Sequence, residues 1–252
     1  MSVNEGAMRG LPEEVRQTLR PYLAEVTKLF GASLEAVILY GSGVGADFLP
    51  GTSNINLLIL LARQEVDLLQ RYSKVHPRWQ KENIVVPLFL TADELRGSAG
   101  LFPLEFLEIK DRHELLFGRD PFPELDLDLS DLHVQCVQEI QGNLLRLRQR
   151  FVEGGGTVEA AAILLPLSLT ALLPCFRGLF RTSGCSFRGS SEALLKELEP
   201  RLGVDPAVFL EVLNVKRGLI SPGQREFPRL LARYLDALET VVKKTNSLER
   251  QG

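Results

Sequence analysis

LEAVILYGSGVGADFLPGTSNINLLIL, Leu34 to Leu60, is the stretch whose reading decides the fold. It opens with a β-rich apolar run, Leu34 to Tyr40, which Gly41 halts. A glycine-rich loop follows, containing Pro50-Gly51 and ending at Ser53. The chain then re-enters an apolar run, Asn54 to Leu61, the second strand. Working outward, Pro12 to Phe30 carries Val15, Leu19, Leu23, Val26 and Leu29 close to a helical period, and Gly31 ends it. Gln64 to Trp79 is polar and amphipathic, a helix by the same test. A third strand is predicted over Asn83 to Thr91, where Pro87 points to an edge position or a bulge. Phe102 to His113 reads as a helix and Glu114 to Phe122 as a short last strand with a turn.

Beyond Pro123 the character changes. PELDLDLSDL, from Pro123 to Leu132, is an acidic linker, with Ser130 or Asp131 as the N-cap of a long helix over Leu132 to Val152. Gly154 to Gly156 stops that helix. Helices are predicted over Val158 to Arg181, Ser191 to Leu202, Pro206 to Leu219 and Glu226 to Lys244, with Ser221-Pro222 breaking the chain before the last. The expected fold class is α+β: a mixed β-sheet with helices over residues 1–123, then an all-α helical bundle over residues 124–252.

Composition narrows the function. The 252 residues are 45% apolar and 24% charged, an ordinary globular balance. Lys and Arg number 29 against 32 Asp and Glu, a net charge of -3, which supplies no global field for non-specific nucleic-acid binding. Three cysteines without a CxxC spacing suggest a reducing compartment and argue against a thiolate zinc site. The N-terminal residues lack the apolar core of a signal peptide, so a cytoplasmic setting is expected. Ala160 to Phe176 is uncharged and near the lower length limit for a membrane span. Pro166 and Pro174 inside it, and the lack of a second such segment, favour the buried central helix of a bundle and no membrane.

The strand, Gly41-Ser42, the loop and the polar-Ile-polar start of the second strand together resemble the nucleotidyltransferase superfamily, which includes the aminoglycoside and the minimal bacterial nucleotidyltransferases. The resemblance is clear from Leu34 to Leu61 and loose over the rest of the first half. It implies that Gly41 and Ser42 form a phosphate loop supported by Ser53, and that the helical half is a substrate domain. In active relatives two aspartates at i and i+2 of the second strand hold Mg²⁺ against a nucleoside triphosphate. Carboxylates suit that task because Mg²⁺ is hard and strongly hydrated. Here those positions are Asn54 and Asn56, and Ile84 to Leu90 offers no acid for the third ligand.

The resemblance therefore implies a bacterial-type nucleotidyltransferase-fold protein with a degenerate metal site, catalytically impaired and keeping a loop for a nucleotide. Two other readings stay open. One is an active Mg²⁺-dependent transferase that moves a nucleoside monophosphate to a small hydroxyl acceptor. The other is an antitoxin-like interaction module that binds a protein partner or a second copy of itself. Asp47 is a weak metal candidate, with a solvated loop acid as its plainer reading. Glu105 and Glu108 are a helical pair, either metal-binding or a solvated face. Arg177 and Arg181, one turn apart, with Arg188 beyond, either reach a nucleotide or pair with Asp126 and Asp128. Ser42 has a plainer reading as a turn residue, and Asn54 and Asn56 as caps of the second strand. No two of His76, His113 and His133 have a ligand or triad relation to a cysteine or acid, and each reads as a surface or interface residue. No histidine follows His133, so the helical half cannot carry the Arg-then-His motif of the ribonucleases that accompany minimal nucleotidyltransferases.

Overall fold

The structure, a computed structural model, describes residues 4–45, 47–187, 189–223 and 225–249. The chain divides into two compact units, Met1–Asp128 and Leu129–Gly252.

In the first unit four strands, β1 (Leu34–Tyr40), β2 (Asn56–Leu61), β3 (Leu88–Leu90) and β4 (His113–Gly118), form one sheet in the order β3-β2-β1-β4. β1 runs antiparallel to both β2 and β4, and β2 runs parallel to β3. The continuous apolar runs have a direct cause: both faces of the sheet are covered. Val37, Leu39, Leu57, Ile59 and Leu61 pack into one core with Val15, Leu19 and Tyr22 of α2 (Glu13–Phe30) and with Leu68, Tyr72 and Trp79 of α3 (Val66–Gln80). Their sequence neighbours Ala36, Ile38, Leu58 and Leu60 face the other way, into a second core. That core takes Leu95 and Ala99 of α4 (Ala92–Ala99) and Phe106 and Ile109 of α5 (Pro103–Asp111).

Several boundaries differ from the sequence reading. The second strand starts at Asn56, so Asn54 lies outside it, and Ile55 makes only an isolated parallel bridge to Ile84. The third strand shrinks from nine residues to three because Pro87 has no N–H to give the ladder. β3 is an edge strand, as Pro87 implied. Phe102 to His113 is helical only to Asp111, and His113 already belongs to β4. α4 and the short α1 (Glu5–Arg9) were not legible; Thr91 and Glu94 form a capping box that starts α4. Beyond Pro123 the chain still belongs to the first unit, because Phe122 and Leu125 are buried in the second core. At Gly118, φ is +87°, and a Cβ would stand 1.8 Å from the Glu35 carbonyl oxygen, so only glycine lets β4 close on β1 there.

The second unit is all-helical: α6 (Leu132–Glu153), α7 (Val158–Thr182), α8 (Ser191–Lys196), α9 (Leu198–Leu202), α10 (Ala207–Lys216) and α11 (Phe227–Glu249). α8 and α9 divide what the sequence suggested as one helix. α7 is the central element, packing against α6, α8, α10 and α11. Its C-terminal half is dry, with Leu172, Leu173, Phe176, Leu179 and Phe180 buried. Its N-terminal half is not: Ile163 is 63% and Leu167 55% exposed. By length and apolarity alone α7 is also a candidate membrane-crossing helix.

Candidate functional site

Register brings the expected loop residues to one end of the sheet. Tyr40, the last residue of β1, pairs with Asn56 on one side and His113 on the other. Gly41–Val44 then forms a single 3-10 turn, closed by Gly45 N–H donating to the Ser42 carbonyl at 3.2 Å. Gly41 has φ +77°, and a Cβ there would lie 3.1 Å from Asn56 Nδ2. The Asn56 amide therefore rests against the turn. Asn54 is exposed and the Ser42 side chain half-buried.

Two expected loop contacts are taken by the protein itself. The Gly41 N–H donates to the Arg112 carbonyl at 3.3 Å, so it faces β4 and not a ligand. The Ser53 hydroxyl accepts from Leu49 N–H at 2.9 Å, and Ser53 N–H donates back to the Leu49 carbonyl at 2.8 Å. Ser53 thus closes the turn that contains Pro50-Gly51.

Asp47 is not a solvated loop acid. Its Oδ2 lies 3.1 Å from Arg112 NH2, with the side chains 12% and 13% exposed. Glu108 approaches the same guanidinium from α5, at 3.7 Å and 18% exposed. Glu108 is therefore part of an ion cluster, and the expected Glu105–Glu108 pair separates, since Glu105 is exposed. Asp47 and Arg112 are 65 residues apart in the chain, which hid the pair from any local motif. The donors at the turn do not suit Mg²⁺. Asn56 and Asn54 offer neutral amide oxygens, and the loop's own carboxylate, Asp47, is engaged by an arginine. Among the described residues no three His, Cys, Asp or Glu side chains are grouped to hold a metal ion.

No family model and no curated protein matches the chain. Among solved structures it is similar to the spectinomycin adenyltransferase AAD(9) from Enterococcus faecialis, crystallised with ATP and spectinomycin. The likeness has a TM-score of 0.55 at 10% sequence identity and covers 88% of this chain and 98% of that one. This is a nucleotidyltransferase fold with a helical C-terminal part. Within that fold the Gly41 turn, Asn56 and the Asp47–Arg112 pair all belong to the first unit.

Arg177 and Arg181 belong to α7 of the second unit, with Arg177 buried at 7% exposure and Arg181 half-buried. Arg188 lies outside the described residues. The histidine reading needs correction, because His113 does meet an acid. Its Nε2 is 3.2 Å from Asp120 Oδ2, and its Nδ1 lies 3.1 and 3.0 Å from the carbonyls of Ile109 and Lys110. Carbonyl oxygens only accept, so Nδ1 carries a proton. His113 ties the end of α5 to the turn after β4. The second unit also holds an open cavity of about 420 Å³ lined by Glu211, Ile220, Pro222, Glu226, Arg229 and Arg233.

Proposed function

We propose that this protein is a nucleotidyltransferase-fold protein that binds a nucleotide at the Gly41–Ser42 turn but is impaired in Mg²⁺-dependent transfer. One observation carries the reading: the Asn56 amide packs against Gly41. The resemblance adds that Asn54 and Asn56 correspond to the positions where active members of the superfamily carry acids. Phosphoryl and nucleotidyl transfer depend on preorganised charge at the phosphates, and losing one such partner costs on the order of 10²–10³ in rate. Two missing carboxylates take turnover below easy detection. A cytoplasmic setting accords with three cysteines that form no disulfide.

Calorimetry with ATP, with and without Mg²⁺, tests the reading. The expected result is weak binding indifferent to the metal. Asn54→Asp and Asn56→Asp together should introduce Mg²⁺-dependent binding. Robust transfer by the unmodified protein, abolished by Ser42→Ala, would instead establish the active-enzyme reading. That reading draws on the similar adenyltransferase having been crystallised with ATP and spectinomycin. If neither the wild type nor the double variant binds nucleotide, the fold serves as an interaction scaffold.

A further inference from the structure

We infer that Arg112 is the anion-holding residue of the Gly41–Ser42 site, and that a phosphate group binds its guanidinium by displacing Asp47, without a metal ion between them. The inference rests on the nucleotide reading above and names the group that replaces the metal's charge.

Arg112 is fixed beside the turn by its own backbone, since its carbonyl accepts the Gly41 N–H. Its guanidinium lies along the loop, and a Cβ on Gly45 would come within 3.9 Å of NH2. An arginine stays charged at every working pH and offers five N–H donors in a planar fork suited to phosphate oxygens. The resident acids meet that fork unequally. Asp47 reaches NH2 at 3.1 Å, while Glu108 sits 3.7 Å from NH1. A phosphate can present two oxygens to the fork at once. All three side chains are less than a fifth exposed, so bulk water screens this exchange of anions only in part. Asp47 is also the member of the cluster carried by a loop, whereas Glu108 is fixed on α5.

A site built this way offers a fixed cation to the phosphate. It takes the phosphate oxygens directly, with no metal ion between, so binding stays indifferent to added Mg²⁺.

The full chain, titrated with ATP in excess chelator and separately with inorganic phosphate, tests this. Arg112→Gln should weaken ATP binding on the order of tenfold or more, the scale of a hydrogen bond to a charged group. Asp47→Asn should strengthen it by a similar factor, because the internal competitor loses its charge. Arg112→Lys should retain part of the affinity and decides the matter if Arg112→Gln fails to fold. Metal-free ATP binding by the wild type that neither Arg112→Gln nor Asp47→Asn alters would overturn the role of Arg112 and leave the nucleotide site standing. Binding seen only in Asp47→Asn would support a site occupied by its own loop. No binding in either protein would overturn both proposals. Inorganic phosphate binding as tightly as ATP would support Arg112 but overturn the nucleotide as its ligand.

Discussion

Gly41 joins fold and site in one residue. Its positive φ excludes a side chain cheaply accommodated elsewhere, and the space a Cβ needs is held by the Asn56 amide. Gly41→Ala should cost about 1–3 kcal/mol, the strain of a non-glycine residue at positive φ, read as a lower urea midpoint at unchanged m-value. An unchanged midpoint would mean that the turn relaxes freely. The sequence carried Gly41 and Ser42 at the end of the first strand and Asn56 at the start of the second, because a turn and a strand start are local and obey spacing; Asn54 falls outside the strand. It did not carry the Asp47–Arg112 pair or the His113–Asp120 contact. The first joins residues far apart in the chain. The second needs the turn after β4 to fold back on the end of α5, and nothing in the six intervening residues signals that.

At the level of elements, the same contrast holds. Strands β1 and β2 were legible because both of their faces are buried, which writes an unbroken apolar run. β3 was overread because a proline in an apolar segment leaves hydropathy unchanged while removing a backbone donor. In the bundle, the apolar run of α7 predicted its central place but hid a polar device. Ser168 donates to Asn143 Oδ1 at 2.5 Å and lies 3.1 Å from the Tyr234 hydroxyl, all three side chains being buried. A serine has one proton, so the tyrosine donates to it. This network links α6, α7 and α11. Ser168→Ala should lower stability by about 1–3 kcal/mol, the cost of leaving buried polar groups unpaired, measured by chemical denaturation. A loss below about half a kcal/mol would mean that water replaces the hydroxyl.

Across the whole molecule, all four tyrosines are held neutral above the ordinary range near 10. Burial raises Tyr234, burial and then Glu105 raise Tyr40, and burial first raises both members of the hydroxyl pair Tyr22–Tyr72, 3.0 Å apart. Tyr72 is pushed up to about 12. The folded state therefore keeps phenolic protons that the unfolded chain loses, so stability falls as pH rises. This contribution is intact below about pH 10 and is lost for Tyr72 as pH rises through about 12. Alkaline titration should show tyrosinate absorbance appearing only together with the loss of helical circular dichroism. Tyrosinate rising near pH 10 with the helices intact would contradict it.

The three-residue β3 bears on how the protein behaves among its own copies. A sheet margin with unpaired amides is a template on which another chain can grow a strand. Here Pro87 removes one donor next to that margin, and the Gln64 side chain occupies the Phe89 carbonyl at 2.9 Å. At the opposite margin, Asn4 N–H is already bonded to the Leu116 carbonyl of β4 at 2.8 Å. Both borders of the sheet are thus blunted by the chain's own groups, a built-in defence against fibrillar self-association in a domain whose two central strands are largely apolar.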